Sequence, residues 1–127
     1  MKIERMESCA PFAPRGELSR WSQPRTDSRA TVVVHIDSDG RMCGWGEIPD
    51  VHSPPMFAPL LTGERPIRTE ALWRRIAALT HWHHRFARPM VEALSAFDMA
   101  QWDIRRRADG KSVFEQMGGR IRNSLAT

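Results

Sequence analysis

The hydrophobic pattern in the first half of the chain is typical of β-structure. Residues 2–13 alternate roughly between apolar and polar positions and end among prolines, which predicts a first strand. Residues 30–37, ATVVVHID, are apolar and β-branched and predict a second strand. A Ser-Asp-Gly turn at 38–40 leads into residues 41–48, RMCGWGEI, which return as a third strand. The first half is therefore predicted to be a three-stranded antiparallel meander.

Two segments in this half lack that pattern. Residues 15–29 are polar and rich in turn formers, with Trp21 as the only aromatic side chain, and predict a long loop. Residues 49–59 contain four prolines and predict a second irregular stretch. Within the third strand, Gly44 and Gly46 indicate a bend or the close approach of another element.

The pattern in the second half changes to helical spacing. It predicts four helices. The first is short, lies near 56–61 and ends at Gly63, and the second is capped by Thr69 and ends near 81–84. The third is long and runs from Pro89 to Asp109, and the fourth is short, is capped by Ser112 and ends at Met117 before Gly118 and Gly119. The second helix has apolar residues at Trp73, Ile76 and Leu79. The long helix has a wide apolar stripe and is expected to pack on two neighbours; the stripe comprises Met90, Val91, Leu94, Phe97, Met99, Trp102, Ile104 and Ala108.

Length and charge narrow the class of protein. The 127 residues suffice for one domain, whereas a complete barrel enzyme needs about 250 residues. The net charge is +4, but the 17 arginines are dispersed along the chain, which argues against a nucleic-acid site. No apolar run reaches the length of a membrane span and no secretory leader is evident, so we expect a soluble, cytoplasmic protein without membrane partners.

Several polar residues are candidates for chemistry. His81, His83 and His84 are compatible with a metal site, although histidines at a helix C-terminus also suit its partial negative charge. Asp98 lies within the apolar stripe, which predicts a buried hydrogen bond or ion pair with an arginine. Asp103 follows five positions later and does not share its face, so the two are not an acid–base pair.

The remaining candidates at the strand ends are Glu47 and Asp50, which are compatible with a ligand contact or with solvated turn positions. Cys9 and Cys43 lie in predicted strands and are expected to be buried free thiols; a disulfide would need their Cα atoms within about 7 Å. The chain contains no phosphate-binding loop and no recognised hydrolase or metalloprotease motif.

The order of the motifs resembles a known domain. Residues 32–47, VVVHIDSDGRMCGWGE, and residues 94–122, LSAFDMAQWDIRRRADGKSVFEQMGGRIR, resemble the N-terminal capping domain of the mandelate racemase/muconate lactonizing enzyme group of the enolase superfamily. Segments 62–66 and 71–73 resemble its turn and following helix. The matching positions in the second motif are Ser95, Ala96, Asp98, Ala100, Trp102, Asp103, Ile104, Ala108, Gly110, Val113, Gly118, Gly119 and Arg122. Gln101 and Arg106 depart from the family pattern, which has Leu and Gly there, and residues 85–89 replace its glycine-rich turn.

The resemblance implies an α+β fold, in which a three-stranded antiparallel meander is followed by a small helical bundle. It implies a domain at 1–120, with 121–127 as the lead-in to the first strand of a (β/α) barrel that the 127 residues do not include. In the family the barrel binds Mg²⁺ and removes a proton α to a carboxylate, and the metal stabilises the resulting enediolate. We therefore expect no cofactor in this chain, a barrel partner in the same chain or in trans, a hydroxy or sugar acid as substrate of the complete enzyme, and no catalysis by this chain alone.

The resemblance also indicates where substrate contacts would lie. Two loops of the capping domain close over the substrate, and by position they are here 15–29 and 49–55. The candidate substrate-contact residues are Glu17, Leu18, Arg20, Trp21, Asp50 and His52. An alternative is a stand-alone interaction or homo-oligomerisation module, with Trp45, Phe57, Trp82 and Phe114 as candidate surface residues.

Overall fold

The strands form two separate sheets. The computed structural model describes residues 1–9, 12–20, 25–48, 57–80, 87–120, 122 and 124. The strands are β1 (Ile3–Cys9), β2 (Phe12–Arg20), β3 (Arg25–Ala30), β4 (Val32–Ser38) and β5 (Cys43–Ile48). One sheet has the order β1-β4-β5, and the other consists of β2 and β3.

The three-stranded sheet confirms the predicted antiparallel meander. At one end β4 pairs Val33 with Cys9 of β1 and Val32 with Ile48 of β5. Side chains along β4 alternate between buried and half-buried positions, because successive residues of a strand point to opposite faces. The inner face of β4 contributes Val34 and Ile36 to the core, and neither is exposed to solvent.

The predicted loop at 15–29 was wrong for most of its length. β2 and β3 form an antiparallel pair that begins at Phe12 opposite Ala30. The predicted first strand at 2–13 correspondingly divides into β1 and the start of β2. Strand prediction rests mainly on apolar and β-branched content. Two polar segments that pair with each other through backbone hydrogen bonds give little of that signal.

The four predicted helices are confirmed with small shifts in their limits. They are α1 (Ala58–Leu61), α2 (Thr69–Thr80), α3 (Ala87–Asp109) and α4 (Val113–Gln116). Gly63 and Gly110 adopt positive φ angles of 85° and 64° just after α1 and α3. Before α4 the Ser112 backbone N–H donates to Glu115 Oε2 at 2.8 Å, which is one half of a capping box.

The core lies between the three-stranded sheet and the helices, and α3 contributes most to it. Its buried apolar residues are Met90, Ala93, Leu94, Ala96, Phe97, Ala100 and Ile104. Gly44 and Gly46 allow α3 to lie directly on the backbone of β5, which confirms the close approach predicted for them. On α2 the buried apolar residues are Leu72 and Ile76, whereas Trp73 is 43% exposed and lies outside the core.

Candidate functional site

Two chain connections leave the three-stranded sheet at the same end, which we call the loop end and define by Cys9, Val32 and Ile48. β1 leaves the sheet after Cys9 to form β2, and β3 returns through Ala30 into β4. β5 finishes at Ile48, which pairs with Val32. Both predicted substrate loops therefore start from the same end of one sheet.

Three of the candidate substrate residues lie in β2. Glu17 and Leu18 fall within the stretch where the pairing of β2 with β3 is irregular, between Pro14 opposite Ser28 and Ser19 opposite Thr26. Arg20 is the last residue of β2 and is paired with Arg25. Irregular pairing of this kind is common beside binding sites, because it changes the direction of individual side chains. Trp21 lies outside the described residues.

The second connection follows the end of β5, which hydrogen bonds from Thr31 hold to the start of β4. The Thr31 hydroxyl lies 2.8 Å from both Glu47 Oε1 and the Ile48 carbonyl oxygen, so it can donate to either and connects the start of β4 to the end of β5. Glu47 is thus an exposed residue with a hydrogen bond that stabilises the sheet end. Asp50 and His52 follow within four residues of Ile48 and lie outside the described residues.

Asp98 on α3 is half-buried and lies beside another acid. Burial raises the pKa of the Asp98 carboxyl, the negative charge of Glu70 on α2 adds to that effect, and a hydrogen bond from the Trp102 side chain opposes it. Asp98 was expected to be buried and is only half-buried, and the donor of its hydrogen bond among the described residues is Trp102 rather than an arginine. The arrangement disfavours a negative charge on this part of the surface.

Asp103 lies on another side of α3, and its pKa is lowered where that of Asp98 is raised. Its carboxylate accepts hydrogen bonds from Arg106 Nε at 2.6 Å and Arg107 Nη2 at 2.9 Å, and from the backbone N–H of Trp45 at 3.3 Å. Burial would raise the pKa of Asp103, but the hydrogen bonds and charges of the two arginines hold it below its ordinary value. Asp103 therefore connects α3 to the edge of β5, which is a structural role.

Comparison with known proteins identifies the domain. Residues 19–118 match the family model of the mandelate racemase/muconate lactonizing enzyme N-terminal domain. The chain belongs to this family. The structure of an enolase-superfamily member from Polaromonas sp. JS666 superimposes on 96% of the chain with a TM-score of 0.81 and 24% identity, which shows the shared fold.

The relatives of this family domain are longer proteins. The chain is 35% identical over 107 residues to the D-galactarolactone cycloisomerase of Agrobacterium fabrum, a match over 80% of the chain and 28% of that enzyme. It is 41% identical over 70 residues to a D-galactonate dehydratase family member of Pantoea ananatis, over 55% of the chain and 16% of that protein. The chain covers 34% of the Polaromonas protein. The chain therefore spans about a third or less of the length of these relatives.

The described part of this family domain contains no group of three or more His, Cys, Asp or Glu side chains placed to hold a metal ion. These residues thus do not fit a magnesium site by themselves. His81, His83 and His84 lie outside the described residues. None of the helices, over the residues that the structure describes, combines the length and apolar character needed to cross a membrane.

The two cysteines are free, on opposite edge strands of the sheet. The expectation that both are buried was wrong for Cys9, which is exposed because β1 is an edge strand and position 9 points away from the core. Cys43 is half-buried. They pair with Val33 and Asp37 respectively, four residues apart on β4 and on opposite sides of it, which is too far for a disulfide.

The surface residues proposed for an interaction module divide into exposed and buried positions. Trp45 is 48% exposed and stacks on His35, with 4.1 Å between the ring centroids, and Phe114 is 43% exposed. Phe57 is only 2% exposed and belongs to the core beside α1, so its assignment to a surface was wrong. Trp82 lies outside the described residues.

Two features of the site were missed in the sequence. The Thr31 hydroxyl secures the loop end, and the carboxylates of Glu70 and Asp98 come close together from different helices. A threonine immediately before a β-branched run gives no distinct signal. The proximity of Glu70 and Asp98 depends on how α2 packs against α3, and residues 28 positions apart carry no local pattern that shows it.

Proposed function

We propose that this chain is the capping domain of an enzyme that abstracts a proton α to the carboxylate of a hydroxy or sugar acid, leading to dehydration or isomerisation. Residues 1–120 form the cap, and 121–127 lead into the barrel that supplies the catalytic groups. The chain alone is then non-catalytic. The observation that carries this proposal is the common origin of both predicted substrate loops at the loop end, which suits a cover over a barrel mouth.

The cap contributes binding and shielding rather than proton transfer. Arg20 would pair with a carboxylate of the substrate, because a guanidinium forms two parallel hydrogen bonds to that group. Trp21 would form an apolar wall, and Glu17, Leu18, Asp50 and His52 would contact hydroxyl groups or close the edge of the site. Closure of both segments excludes water, which strengthens each electrostatic contact with the substrate.

The metal belongs to the barrel in this proposal. Mg²⁺ held by acidic barrel side chains would stabilise negative charge on the substrate during proton removal. The family membership supports this assignment, and the described residues of the cap offer no ligand cluster for the ion.

A fusion tests the proposal. The chain would be joined to the barrel of the Agrobacterium fabrum D-galactarolactone cycloisomerase in place of that enzyme's own N-terminal domain. We expect the fusion to convert D-galactarolactone at least tenfold faster than the barrel alone in the presence of Mg²⁺. Equal rates for the fusion and the barrel would contradict a capping role.

The isolated chain is the second arm of this experiment. Incubated with Mg²⁺ and a panel of acid sugars and lactones, the purified 127-residue chain is expected to give no turnover. Steady turnover that remains with the protein through a second, different purification step would overturn the assignment of the catalytic groups to the barrel.

A further inference from the structure

α3 has two covered faces and a third that is open. One face, with Ala96, Ala100 and Ile104, lies on β5, and a second faces α2, where Gln101 Nε2 donates to the Pro66 carbonyl at 3.0 Å. The third, which we call the outer face, follows a spacing of four, four and three residues along one side of the helix. It comprises Val91, Ser95, Met99 and Trp102.

The outer face is more apolar than a water-facing helix side should be. Val91 is 53% exposed and Met99 is 44% exposed, and Trp102, one turn beyond Met99, is half-buried. A helix that meets water normally has polar side chains on its free side. Trp73 of α2, also 43% exposed, adds to the apolar surface that the helical pair presents.

One acidic residue at the margin of this face, Asp98, has no paired cation among the residues that the structure describes. Asp98 lies next to the outer face, receives a hydrogen bond from Trp102 and is close to the charge of Glu70. Arg74 Nε pairs with Glu70 at 2.7 Å, and no arginine of the described residues pairs with Asp98. A basic side chain brought by a partner would neutralise the Asp98 carboxylate at a site where burial disfavours its charge.

Two observations point to the occupant of the face. The chain covers 34% of the Polaromonas protein and 28% of the cycloisomerase, so the equivalent domain in those proteins is joined to a body about two to three times its size. The outer face also begins at the loop end: Ala96 lies over Gly46, and Val91 lies about 7 Å further along α3 toward the end of β5. The face is thus continuous with the surface that the proposed function places on the barrel mouth.

We infer that the barrel packs on the outer face of α3, which we call the seat of the barrel, and that a lysine or arginine of the barrel pairs with Asp98. This inference rests on the proposed function and adds to it the surface by which the cap is held. The cap then meets the barrel along a helix as well as through its substrate loops.

Thiol accessibility tests the seat. In a Cys9→Ser, Cys43→Ser background, Met99→Cys would be labelled with a maleimide in the isolated chain and in the fusion to the cycloisomerase barrel. The matched control is Glu7→Cys on the open side of the sheet, where Glu7 has 50% of its side chain exposed. We expect labelling of Met99→Cys to slow at least tenfold in the fusion, whereas Glu7→Cys reacts at the same rate in both proteins.

The outcomes separate the seat from the proposed function. A fusion that turns over D-galactarolactone but exposes Met99→Cys as fully as the isolated chain overturns the seat alone. A fusion without turnover overturns the proposed function whatever the labelling shows. Protection of Met99→Cys in the isolated chain that grows with protein concentration assigns the face to a second copy of the chain and also overturns the inference.

The ion pair with Asp98 has its own test. If Asp98 only stabilised the fold of the cap, its substitution would change the stability of the isolated chain and of the fusion in the same direction. We expect Asp98→Asn to stabilise the isolated chain at pH 7 and to destabilise the fusion, because only the fusion supplies the barrel's cation. The same sign in both proteins overturns the pairing. If the fusion does not fold, cysteine and Asn substitutions at the aligned helix positions of the intact cycloisomerase give the same two measurements.

Discussion

The carbonyl oxygen of Ala96 lies where a side chain of residue 46 would be. A Cβ built on Gly46 falls 1.8 Å from that oxygen, and one on Gly44 falls 2.0 Å from the carbonyl oxygen of Ala100. The backbones of α3 and β5 therefore meet without intervening side chains. This contact fixes the height of the long helix over the sheet, and with it the position of the helix at the loop end.

A methyl group at either glycine is expected to destabilise the domain. Gly46→Ala must push α3 away from β5, since the atom it meets is backbone and cannot rotate aside, and the loss is expected to be about 3 kcal/mol or more. Gly44→Ala should cost a similar amount. Urea denaturation followed by tryptophan fluorescence measures both.

The control for this prediction is Gly40→Ala in the turn before β5. A Cβ there has the flexible Met1 side chain as its neighbour, at 3.4 Å, and Gly40 does not have a positive φ. The change should stay within about 0.5 kcal/mol of the parent chain. Equal stability of the Gly46→Ala chain and the parent chain would contradict the direct backbone contact.

The sequence predicted the close approach to β5, but it did not predict the strands β2 and β3. Two glycines in an otherwise apolar strand have few explanations, so a close approach could be predicted, and the β-branched run at 30–37 made its neighbour strand equally clear. β2 and β3 were missed because polar strands that pair with each other lack an apolar signal. Trp73 and Ile76 share the helical spacing of apolar residues, but hydrophobicity alone does not tell the buried Ile76 from the exposed Trp73.

The candidate site was predictable only through the family resemblance. Residue types such as Arg20 and Asp50 carry no mark of their role, and it was their position after particular strands that indicated substrate contacts. That the two segments start from one end of the sheet follows from the pairing of Cys9 with Val33 and of Val32 with Ile48, which is a long-range property.

Asp103 is expected to stabilise the fold at neutral pH and to lose that effect in acid. Its folded-state pKa lies below the ordinary value, so its contribution is complete above the unfolded-state pKa and disappears as the pH falls through the folded-state pKa. Asp103→Asn should cost about 1 kcal/mol at pH 7, since Arg106 and Arg107 are 45% and 40% exposed and water screens the pairs. Thermal unfolding between pH 7 and pH 2.5 measures the difference, which should shrink toward acid.

The matched control for Asp103 is Asp109→Asn, on the same helix. The Asp109 carboxylate is 47% exposed and lies 3.7 Å from Arg105, so its loss should cost less than about 0.5 kcal/mol. A pH-independent difference between Asp103→Asn and the parent chain would mean that the ionised carboxylate is not what connects α3 to β5.

In the isolated chain the ionised Asp98 carboxylate is expected to destabilise the fold at neutral pH, unlike that of Asp103. Its folded-state pKa is raised, so the protonated group favours folding below the unfolded-state pKa, and that advantage is lost as the pH rises through the folded-state pKa. Asp98→Asn should therefore raise the free energy of unfolding at pH 7, because it removes the cost of burying a charge and the repulsion from Glu70. The gain should stay below about 1 kcal/mol, since water screens this half-exposed carboxyl. The gain should vanish near pH 3, and a loss of stability at pH 7 would contradict the unfavourable environment of this carboxylate.

Arg20 provides the test of substrate contact by β2. In the fusion with the cycloisomerase barrel, Arg20→Gln removes the guanidinium and leaves a shorter, uncharged polar side chain, so a lost pairing with the substrate carboxylate should raise KM at least fivefold. Arg41→Gln is the matched control, because Arg41 lies in the turn between β4 and β5 at the opposite end of the sheet from the loop end. Its KM and kcat should equal those of the unmodified fusion.

The split between KM and kcat then distinguishes binding from shielding. A contact that is equally strong in the bound substrate and in the transition state changes KM alone, whereas a residue needed for closure over the site lowers kcat as well. Arg20 is the last residue of β2, and the pairing of β2 with β3 is irregular just before it, between Pro14 and Ser19. Steady-state kinetics with D-galactarolactone should therefore show a KM effect at Arg20, and parallel effects for Arg20→Gln and Arg41→Gln would remove β2 from the substrate site.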